Sequence, residues 1–316
     1  MGQKGLIHRR FVRKLQVVFI TSIVVSGAGI ASAQVKTVSD LSAAVLPGST
    51  VKYSDLLKVL FTDFSEDTAS ASKTIPIRHV SGDHDEMPLH GDFQIGSFEM
   101  VELRDPQGPC VLIQIDITTD DDSRSTVYGS ESSLIAAFRL SPAVKLLDAM
   151  DIKTDRFTGI LEKQSVVSIG PNQSAFFISN THSNSNQSYQ LISGFYLSRD
   201  RLRPIFTAEP SRKNKAVSSS DLFLLSDRGF DDKTNCNVDT DETIDFFPIP
   251  HPGKAYFKLG VRVRVTKKQS GDECKRPARH STYYRGAWEW DPAHKRFRPS
   301  PGGNLDRLDK FNDPRM

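Results

Sequence analysis

Strict alternation of apolar and polar residues constrains the fold of this chain more than any other feature of its sequence. In VLIQIDIT, residues 111–118, the odd positions are apolar, whereas Gln114 and Asp116 lie between them. In YFKLGVRVRV, residues 256–265, the odd positions are again apolar. Side chains of a strand point to opposite faces in turn, so this pattern is typical of antiparallel strands with one face in water. The sequence therefore predicts a mainly β protein.

The alternating segments form three similar units along the chain. Each unit consists of an apolar strand, a long polar loop, a second apolar strand, a tight turn and a short strand. The three turns fall around Ser141-Pro142, Arg199-Asp200 and Asp291-Pro292. Strands joined in this way form antiparallel meanders. We predict ten to fourteen strands, built of meanders into a sandwich or a partial propeller-like body.

One segment near the N-terminus has the periodicity of a helix. Its apolar residues recur at helical spacing: Leu56, Leu57, Leu60, Phe61 and Phe64. Ser54 or Asp55 stands where an N-cap residue is favoured. We predict one short N-terminal helix from about 54 to 64, packed on the β body. The next apolar segment, TIPIRHV at 74–80, is predicted to be the first strand.

The first 33 residues have the three parts of a secretory signal peptide. Five Lys and Arg residues precede an apolar run from Val17 to Val25, and Ala31-Ser32-Ala33 is a small-residue cleavage site. The pair Arg9-Arg10 leaves twin-arginine export open beside the general secretory route. The apolar run is shorter than the roughly 20 residues of a bilayer span. We predict that the leader, 1–33, is cleaved, that no transmembrane segment follows it, and that the protein is periplasmic or secreted.

The rest of the chain is predicted to fall into three parts. Residues 34–73 hold the helix and a linker, residues 74–300 form the β body, and residues 301–316 form a flexible tail. Two halves of the β body, 74–210 and 217–300, are the alternative to a single body of this length.

The leader also alters the charge of the chain. It holds five of the 41 Lys and Arg residues, so 36 remain against 38 Asp and Glu. Residues 251–300 are basic, with 13 Lys and Arg against four Asp and Glu. An exported protein rarely meets nucleic acid, so we predict no nucleic-acid partner. The stripe of Lys258, Arg262 and Arg264 is predicted to be a solvated sheet face, with envelope polyanions as the alternative partner.

The three cysteines are predicted to have different roles. Cys236 and Cys274 lie in polar, loop-like sequence, and an oxidising compartment permits a disulfide between them. Cys110 opens the apolar run CVLIQIDI and is predicted to be a buried small hydrophobe.

The loop SGDHDEMPLHGDFQ concentrates side chains that can bind a metal. Imidazole with carboxylate suits zinc, manganese or iron, and the candidate ligands are His84, Asp85, His90 and Asp92. The two histidines are six positions apart in a loop with Gly and Pro, which matches no helical metal motif. The alternative is a solvated acidic loop, and we predict no cofactor.

The sequence contains no recognisable catalytic motif. It lacks a nucleophile elbow, a catalytic histidine signature and a phosphate-binding glycine loop. The leading hypothesis is therefore an exported non-enzymatic binding or structural module of the bacterial envelope. The alternative is a hydrolase that acts on envelope polysaccharide or peptide through the loop carboxylates of 83–92 or 120–122, with or without a metal.

The long loops of the three units are the candidate ligand site. If the units are equivalent, loops 119–132, 181–188 and 267–281 emerge at one end of the sheets. Their amides and hydroxyls offer many hydrogen-bond donors and acceptors with little charge, which suits an envelope glycan or peptide. The alternative is that Asn and Ser bond only to the backbone of their own turns. The predicted ligand residues are Asp121, His182, Asn184, Asn186 and Arg276.

Overall fold

In the computed structural model of this chain, the described residues form two β-sheets and one helix. The structure describes residues 34–80, 86–119, 132–154, 157–161, 164–183, 187–206, 222–275, 277–305 and 307–308. The prediction of a mainly β, sandwich-like protein built of antiparallel meanders is confirmed. The described residues form seventeen strands, more than the ten to fourteen predicted. Several of them have only two to five residues, too few to show an alternation in the sequence.

Sheet 1 is formed by the N-terminal half of the described chain. Its seven strands are β1 Lys36–Thr37, β2 Ser70–Lys73, β3 Arg78–His79, β4 His90–Leu103, β5 Cys110–Thr119, β6 Ser132–Arg139 and β7 Lys145–Asp151. Their order in space is β1, β4, β5, β6, β7, β3, and β2 also pairs with β4. Every pair is antiparallel except that of β3 with β7.

The segment TIPIRHV, residues 74–80, differs from its prediction as the first strand. Only Arg78–His79 is a strand, and it is the third. The residues before Arg78 form backbone hydrogen bonds outside the sheet. Ile75 N donates to Leu60 O at the end of the helix, and Ile77 exchanges hydrogen bonds with Met87.

Sheet 2 is formed by the C-terminal half. Its ten strands are β8 Phe157–Ile160, β9 Val166–Gly170, β10 Gln173–Ser183, β11 Gln187–Ser198, β12 Arg201–Pro204, β13 Leu222–Asp231, β14 Cys236–Ile249, β15 Lys258–Ser270, β16 Ala278–Asp291 and β17 Arg296–Pro299. The order in space is β17, β16, β15, β14, β13, β11, β10, β8. Strands β12 and β9 pair with β11 and β10 respectively.

The three predicted meanders are present in these sheets. They are β5–β6–β7, β10–β11–β12 and β15–β16–β17, all with antiparallel pairing. At the second tight turn, Ser198 pairs with Arg201, and Arg199 and Asp200 both have positive φ, 52° and 59°. This is the backbone of a two-residue type I′ turn, whose twist matches that of the strands it joins.

The helix α1 spans Tyr53–Leu60, which is shorter than the predicted 54 to 64. Phe61 is extended, with φ −114° and ψ 119°, and it bridges to Thr74 at the start of the following segment. The buried face of α1 lies on sheet 1, where the ring of Tyr53 meets that of Phe98 edge-on at 5.4 Å. In the part of the chain that the structure describes, no helix is long and apolar enough to cross a membrane.

Strand β10 is covered on both faces. All residues from Gln173 to Asn180 are buried. Phe176 and Ile178 pack towards sheet 1, in a core that contains Leu112 of β5. The alternate residue Phe177 packs in a second core, where its ring stacks on that of Phe246 of β14 at 3.8 Å. Sheet 2 therefore folds back on itself, with β14 to β16 covering the face of β10 and β11 that sheet 1 leaves open.

The predicted disulfide between Cys236 and Cys274 is present. It links the β13–β14 turn to the β15–β16 connection, and Lys275 N also donates to Thr234 O across the two connections, at 3.0 Å. The third cysteine, Cys110, is free and buried at the start of β5, as predicted. The disulfide thus fixes the end of the four long strands β13 to β16.

We expect the disulfide to make a large contribution to stability. It closes a loop of 38 residues, for which the loss of chain entropy in the unfolded state corresponds to about 4 kcal/mol. Replacing both Cys236 and Cys274 with Ser should lower the free energy of unfolding in urea by about this amount. As a control, the stability of Cys110→Ala should still fall when a reductant is added, whereas the stability of the double variant should not change. Equal stability of the oxidised and reduced wild type would contradict this prediction.

Candidate functional site

A cleft opens in sheet 2 where β13 changes its partner. Residues Leu222 to Asp227 of β13 pair with β11, whereas Asp227 to Asp231 pair with β14. From Asp241 onward, β14 pairs with β15 alone among the described strands. The two halves of the sheet separate at this point. The gap between them is a cleft of about 760 Å³, bounded by β8, β10, β11, β13 and β14 and by Arg264 of β15.

The floor of the cleft continues the buried face of β10 with polar residues. Ser179 and Thr181 occupy the positions that follow Phe177 in the period of two. Gln190 of β11 lies beside them, and its Nε2 donates to Ser179 Oγ at 2.5 Å. The hydroxyl oxygens of Ser179 and Thr181 are 3.2 Å apart, and either can donate. A row of neutral donors and acceptors is thus held in place at the open end of an apolar core.

The walls of the cleft combine apolar side chains with polar ones, among them Thr158, Gln164 and Arg264. Their apolar side chains are Phe157, Ile160, Leu161, Leu224 and Ile244. Phe157 stands at the rim and is 56 % exposed, although an aromatic ring of this size gains free energy by burial. Sites that bind small molecules usually combine apolar surface with a few placed polar groups.

One described carboxylate lines the cleft from its inward face. Glu242 of β14 is 7 % exposed and lies on the same strand face as Ile244 and Phe246. Asp245 also borders the cleft, but it alternates to the outer face, where Arg262 donates to its Oδ2 at 2.7 and 3.0 Å. Among the described residues of the cleft, no second inward carboxylate stands opposite Glu242.

Gln114 of β5 holds the β8 wall of the cleft in position. Its Oε1 accepts from Ile160 N at 3.1 Å, and its Nε2 donates to Thr158 O at 3.3 Å and to Ser133 Oγ at 3.1 Å. Gln114 is 1 % exposed. The sequence placed it on a solvated strand face, but sheet 2 covers that face. Gln114 therefore joins the two sheets at the cleft.

A second, smaller cavity of about 390 Å³ lies at the other end of β10 and β11. Trp290 and Tyr256 form part of its lining, and their rings stack at 4.3 Å. Burial raises the pKa of the Tyr256 hydroxyl. Both rings also contact Phe297 in the aromatic core, so they have a structural role that explains their presence.

The predicted ligand residues are only partly described. Asp121, Asn184, Asn186 and Arg276 lie outside the described residues. His182 is described: it follows Thr181 on β10, points to the strand face opposite the cleft floor, and stacks on the ring of Tyr189 at 5.1 Å.

The antiparallel register sets the positions of the predicted loops within sheet 2. The β10–β11, β13–β14 and β15–β16 connections all lie at the same end of their strands. Two of the three predicted loops therefore emerge at one end of this sheet. The third joins β5 to β6 in sheet 1, and residues 120–131 lie outside the described chain.

The predicted metal ligands are also only partly described. His90 and Asp92 lie on β4, both exposed, whereas His84 and Asp85 are outside the described residues. Within the described ranges, no group of three or more His, Cys, Asp or Glu side chains is placed to hold a metal ion.

Comparisons with protein families, with curated proteins and with solved structures gave no match to this chain. Function therefore has to be argued from the cleft itself. Its polar residues Ser179, Thr181, Gln190 and Glu242 belong to no motif, and sequence reasoning missed them. The one available signal was the replacement of apolar residues by polar ones on a face that Phe177 marks as buried.

We expect Gln114→Leu to destabilise the protein. The change keeps the approximate size of the side chain but leaves Ile160 N–H and Thr158 C=O without their partner. An unsatisfied buried polar group costs about 1–3 kcal/mol, so urea unfolding should show a loss in that range or above it. The matched control Gln269→Leu, on the distal part of β15, should change stability by less than about 0.5 kcal/mol. Equal losses in the two variants would refute the role of Gln114.

We expect the free thiol to be inert in the folded protein. Burial, with a smaller contribution from the charge of Asp105, raises the pKa of the Cys110 thiol to about 11. Since the thiolate is the nucleophile, iodoacetamide at pH 8 should leave Cys110 unmodified until guanidinium is added. Mass spectrometry of tryptic peptides measures this directly. Rapid alkylation of the native protein would show that β5 opens far more readily than its burial indicates.

Proposed function

We propose that this protein is an exported binding module of the bacterial envelope and that its ligand occupies the cleft between β8, β10, β11 and β14. The observation that carries the proposal is the row of Ser179, Thr181 and Gln190 on the cleft floor, beside the apolar side chains of the walls. The volume of about 760 Å³ is in the range of known small-molecule sites. The disulfide is compatible with an oxidising compartment, and the leader supports export.

An envelope glycan or peptide fits the chemistry of this cleft best. Hydroxyl and amide groups can both donate and accept, which matches the hydroxyls of a sugar or the amides of a peptide. The apolar side chains of the walls and the exposed ring of Phe157 can cover the apolar face of a sugar ring or an amino-acid side chain. Glu242, the carboxylate on the inward face of β14, adds the means to orient such a ligand.

The polar loops are proposed to form the rim of the same site. The β10–β11 connection joins the two strands that carry the cleft floor, at the end where Thr181 pairs with Gln190. Asn184 and Asn186 would extend the row of neutral hydrogen-bonding groups, with His182, Asp121 and Arg276 as the other proposed rim residues. Loops on a rigid scaffold are well suited to this task.

A hydrolase of envelope polymers is the second candidate, and the burial of Glu242 beside an open cleft is the observation in its favour. Hydrolysis of a glycosidic bond generally needs two carboxyl groups at a fixed separation. Asp245, the other acid of the cleft, faces away and is bonded to Arg262. Binding without turnover is therefore the better-supported proposal.

The proposal is tested with glycan and peptide arrays probed with the chain from Gln34 onward. We expect hits in one of the two classes, and Gln190→Ala should weaken binding of a hit, measured by calorimetry, at least about tenfold, which corresponds to 1.4 kcal/mol. Gln107→Ala, at an exposed position outside the cleft and outside the three polar loops, is the matched control and should bind like the wild type. Hits that survive Gln190→Ala and Ser179→Ala unchanged would place the site elsewhere.

The hydrolase alternative is separated by a product assay on the same hits. Under the binding proposal, the ligand is recovered intact after long incubation. Release of shortened glycan or peptide, abolished by Glu242→Gln but not by Gln107→Ala, would establish the hydrolase instead. Binding that is lost when Asn184 and Asn186 are changed to Ala would support the proposed rim.

A further inference from the structure

Among the described residues, strand β16 has no neighbour along one edge of its first half, which we call the free edge. The strand β17 pairs with it only from Trp288 to Asp291. The chain after β17 continues to cover the edge, because Ser300 N donates to Ala287 O at 2.7 Å and Asn304 N donates to Arg285 O at 2.8 Å. From Ala278 to Tyr284, none of the described residues pairs with β16 on the side away from β15.

The same hydrogen bonds show which backbone groups point outward from this edge. In an antiparallel strand the N–H and C=O of one residue point to the same side, and successive residues alternate. The backbone of Arg285 points outward, because its C=O accepts a hydrogen bond from Asn304 N and its N–H donates to Asn304 Oδ1 at 2.7 Å. The outward residues of the free edge are therefore Arg279, Ser281 and Tyr283. Their side chains and those between them are exposed, so this part of β16 is open along its edge and on both faces.

We propose that a second copy of this chain pairs with the free edge of β16 in antiparallel orientation, with the two-fold axis at Ser281. An open edge is a template for another strand, and a two-fold interface pairs one patch with itself. The free edge runs from Ala278 to Tyr284, so Ser281 is its centre. Pro277 ends the ladder on one side because it has no N–H, and Asn304 ends it on the other.

The register centred on Ser281 makes favourable pairs across the axis. Ser281 faces Ser281 of the second copy, and each outward residue exchanges both of its backbone hydrogen bonds. Arg279 faces Tyr283 of the second copy, which allows the guanidinium to lie over an aromatic ring. His280 faces Thr282 of the second copy, so no two charges of the same sign are directly opposite.

Neighbouring registers are disfavoured by residues of the same edge. A pairing centred on Arg279 would place two guanidinium groups directly opposite each other. Pairings centred on Thr282 or Tyr283 would need the backbone groups of Arg285, which Asn304 already takes. A pairing centred on His280 would bring Pro277 opposite Tyr283 and lose a donor. The edge thus selects one register for a second copy.

The first test is sedimentation equilibrium of the chain from Gln34 onward, from micromolar to millimolar concentration. The wild type should approach twice the mass of one chain. Ser281→Pro removes an N–H that points away from β15, so it breaks no backbone hydrogen bond within the sheet and is tolerated at an edge. It also loses the contact of Ser281 Oγ with Thr266 Oγ1 at 3.2 Å, which the control Ser281→Val loses equally. It should raise the dissociation constant of the dimer at least about tenfold. The matched control Ser281→Val keeps the N–H and should dimerise like the wild type.

The second test is disulfide trapping, which decides the outcome even if Ser281→Pro fails to fold. Ser281→Cys should give a covalent dimer under mild oxidation, since the two residues face each other. Asp241→Cys is the control: Asp241 is exposed on the same row, two strands further from the edge, and should give none. A single-chain mass at every concentration, a dimer that Ser281→Pro leaves intact, or no trapping through Ser281→Cys would each overturn the proposal. If a strand of an unrelated protein is the true occupant of the edge, the purified chain will have the mass of one chain at every concentration.

Discussion

A strand that is apolar on both faces has to be covered twice, and β10 imposes this requirement on the whole molecule. Phe176 and Ile178 need sheet 1 on one side, while Ala175 and Phe177 need β14 and β15 on the other. Full burial of each large side chain contributes about 1.5–3 kcal/mol. Leaving either face in water would therefore remove a large part of the net free energy of unfolding of a domain. Sheet 2 satisfies both demands only by folding back over β10 and β11.

The two sheets are held at one relative position by buried polar groups. Asp148 of β7 accepts hydrogen bonds at 2.7 Å from both Arg78 Nη2 and Leu202 N of β12. Arg139 lies between Asp105 and Asp200, and Gln114 bonds the edge strand β8. Each of these groups would be left unsatisfied if the sheets slid past each other, which costs about 1–3 kcal/mol for each group. Apolar packing drives the sheets together, and these bonds select the register.

The cleft and the free edge both follow from the way sheet 2 folds back. Strand β13 has to leave β14 in order to stay with β11, and the separation opens the cleft beside Leu224 and Glu242. Beyond Asp227 the strands rejoin and extend past the core, where the disulfide between Cys236 and Cys274 fixes their ends. There β16 has solvent on both faces and no described neighbour on one side. One topological feature thus produces the proposed ligand site and the proposed interface.

The sequence by itself determined the features that depend on neighbouring residues. Alternation gave the strands of the three meanders, apolar spacing gave α1, and polar context gave the pair Cys236 and Cys274. Helix and strand periodicities are local properties, so they can be read without knowing what covers them. The tertiary structure alone decided which strand faces are wet. Gln114 has the sequence pattern of a solvated residue but is buried. Ser179 and Glu242 line the same cleft only because sheet 2 folds back. The fold-back buries both apolar faces of β10, and no local sequence pattern records it.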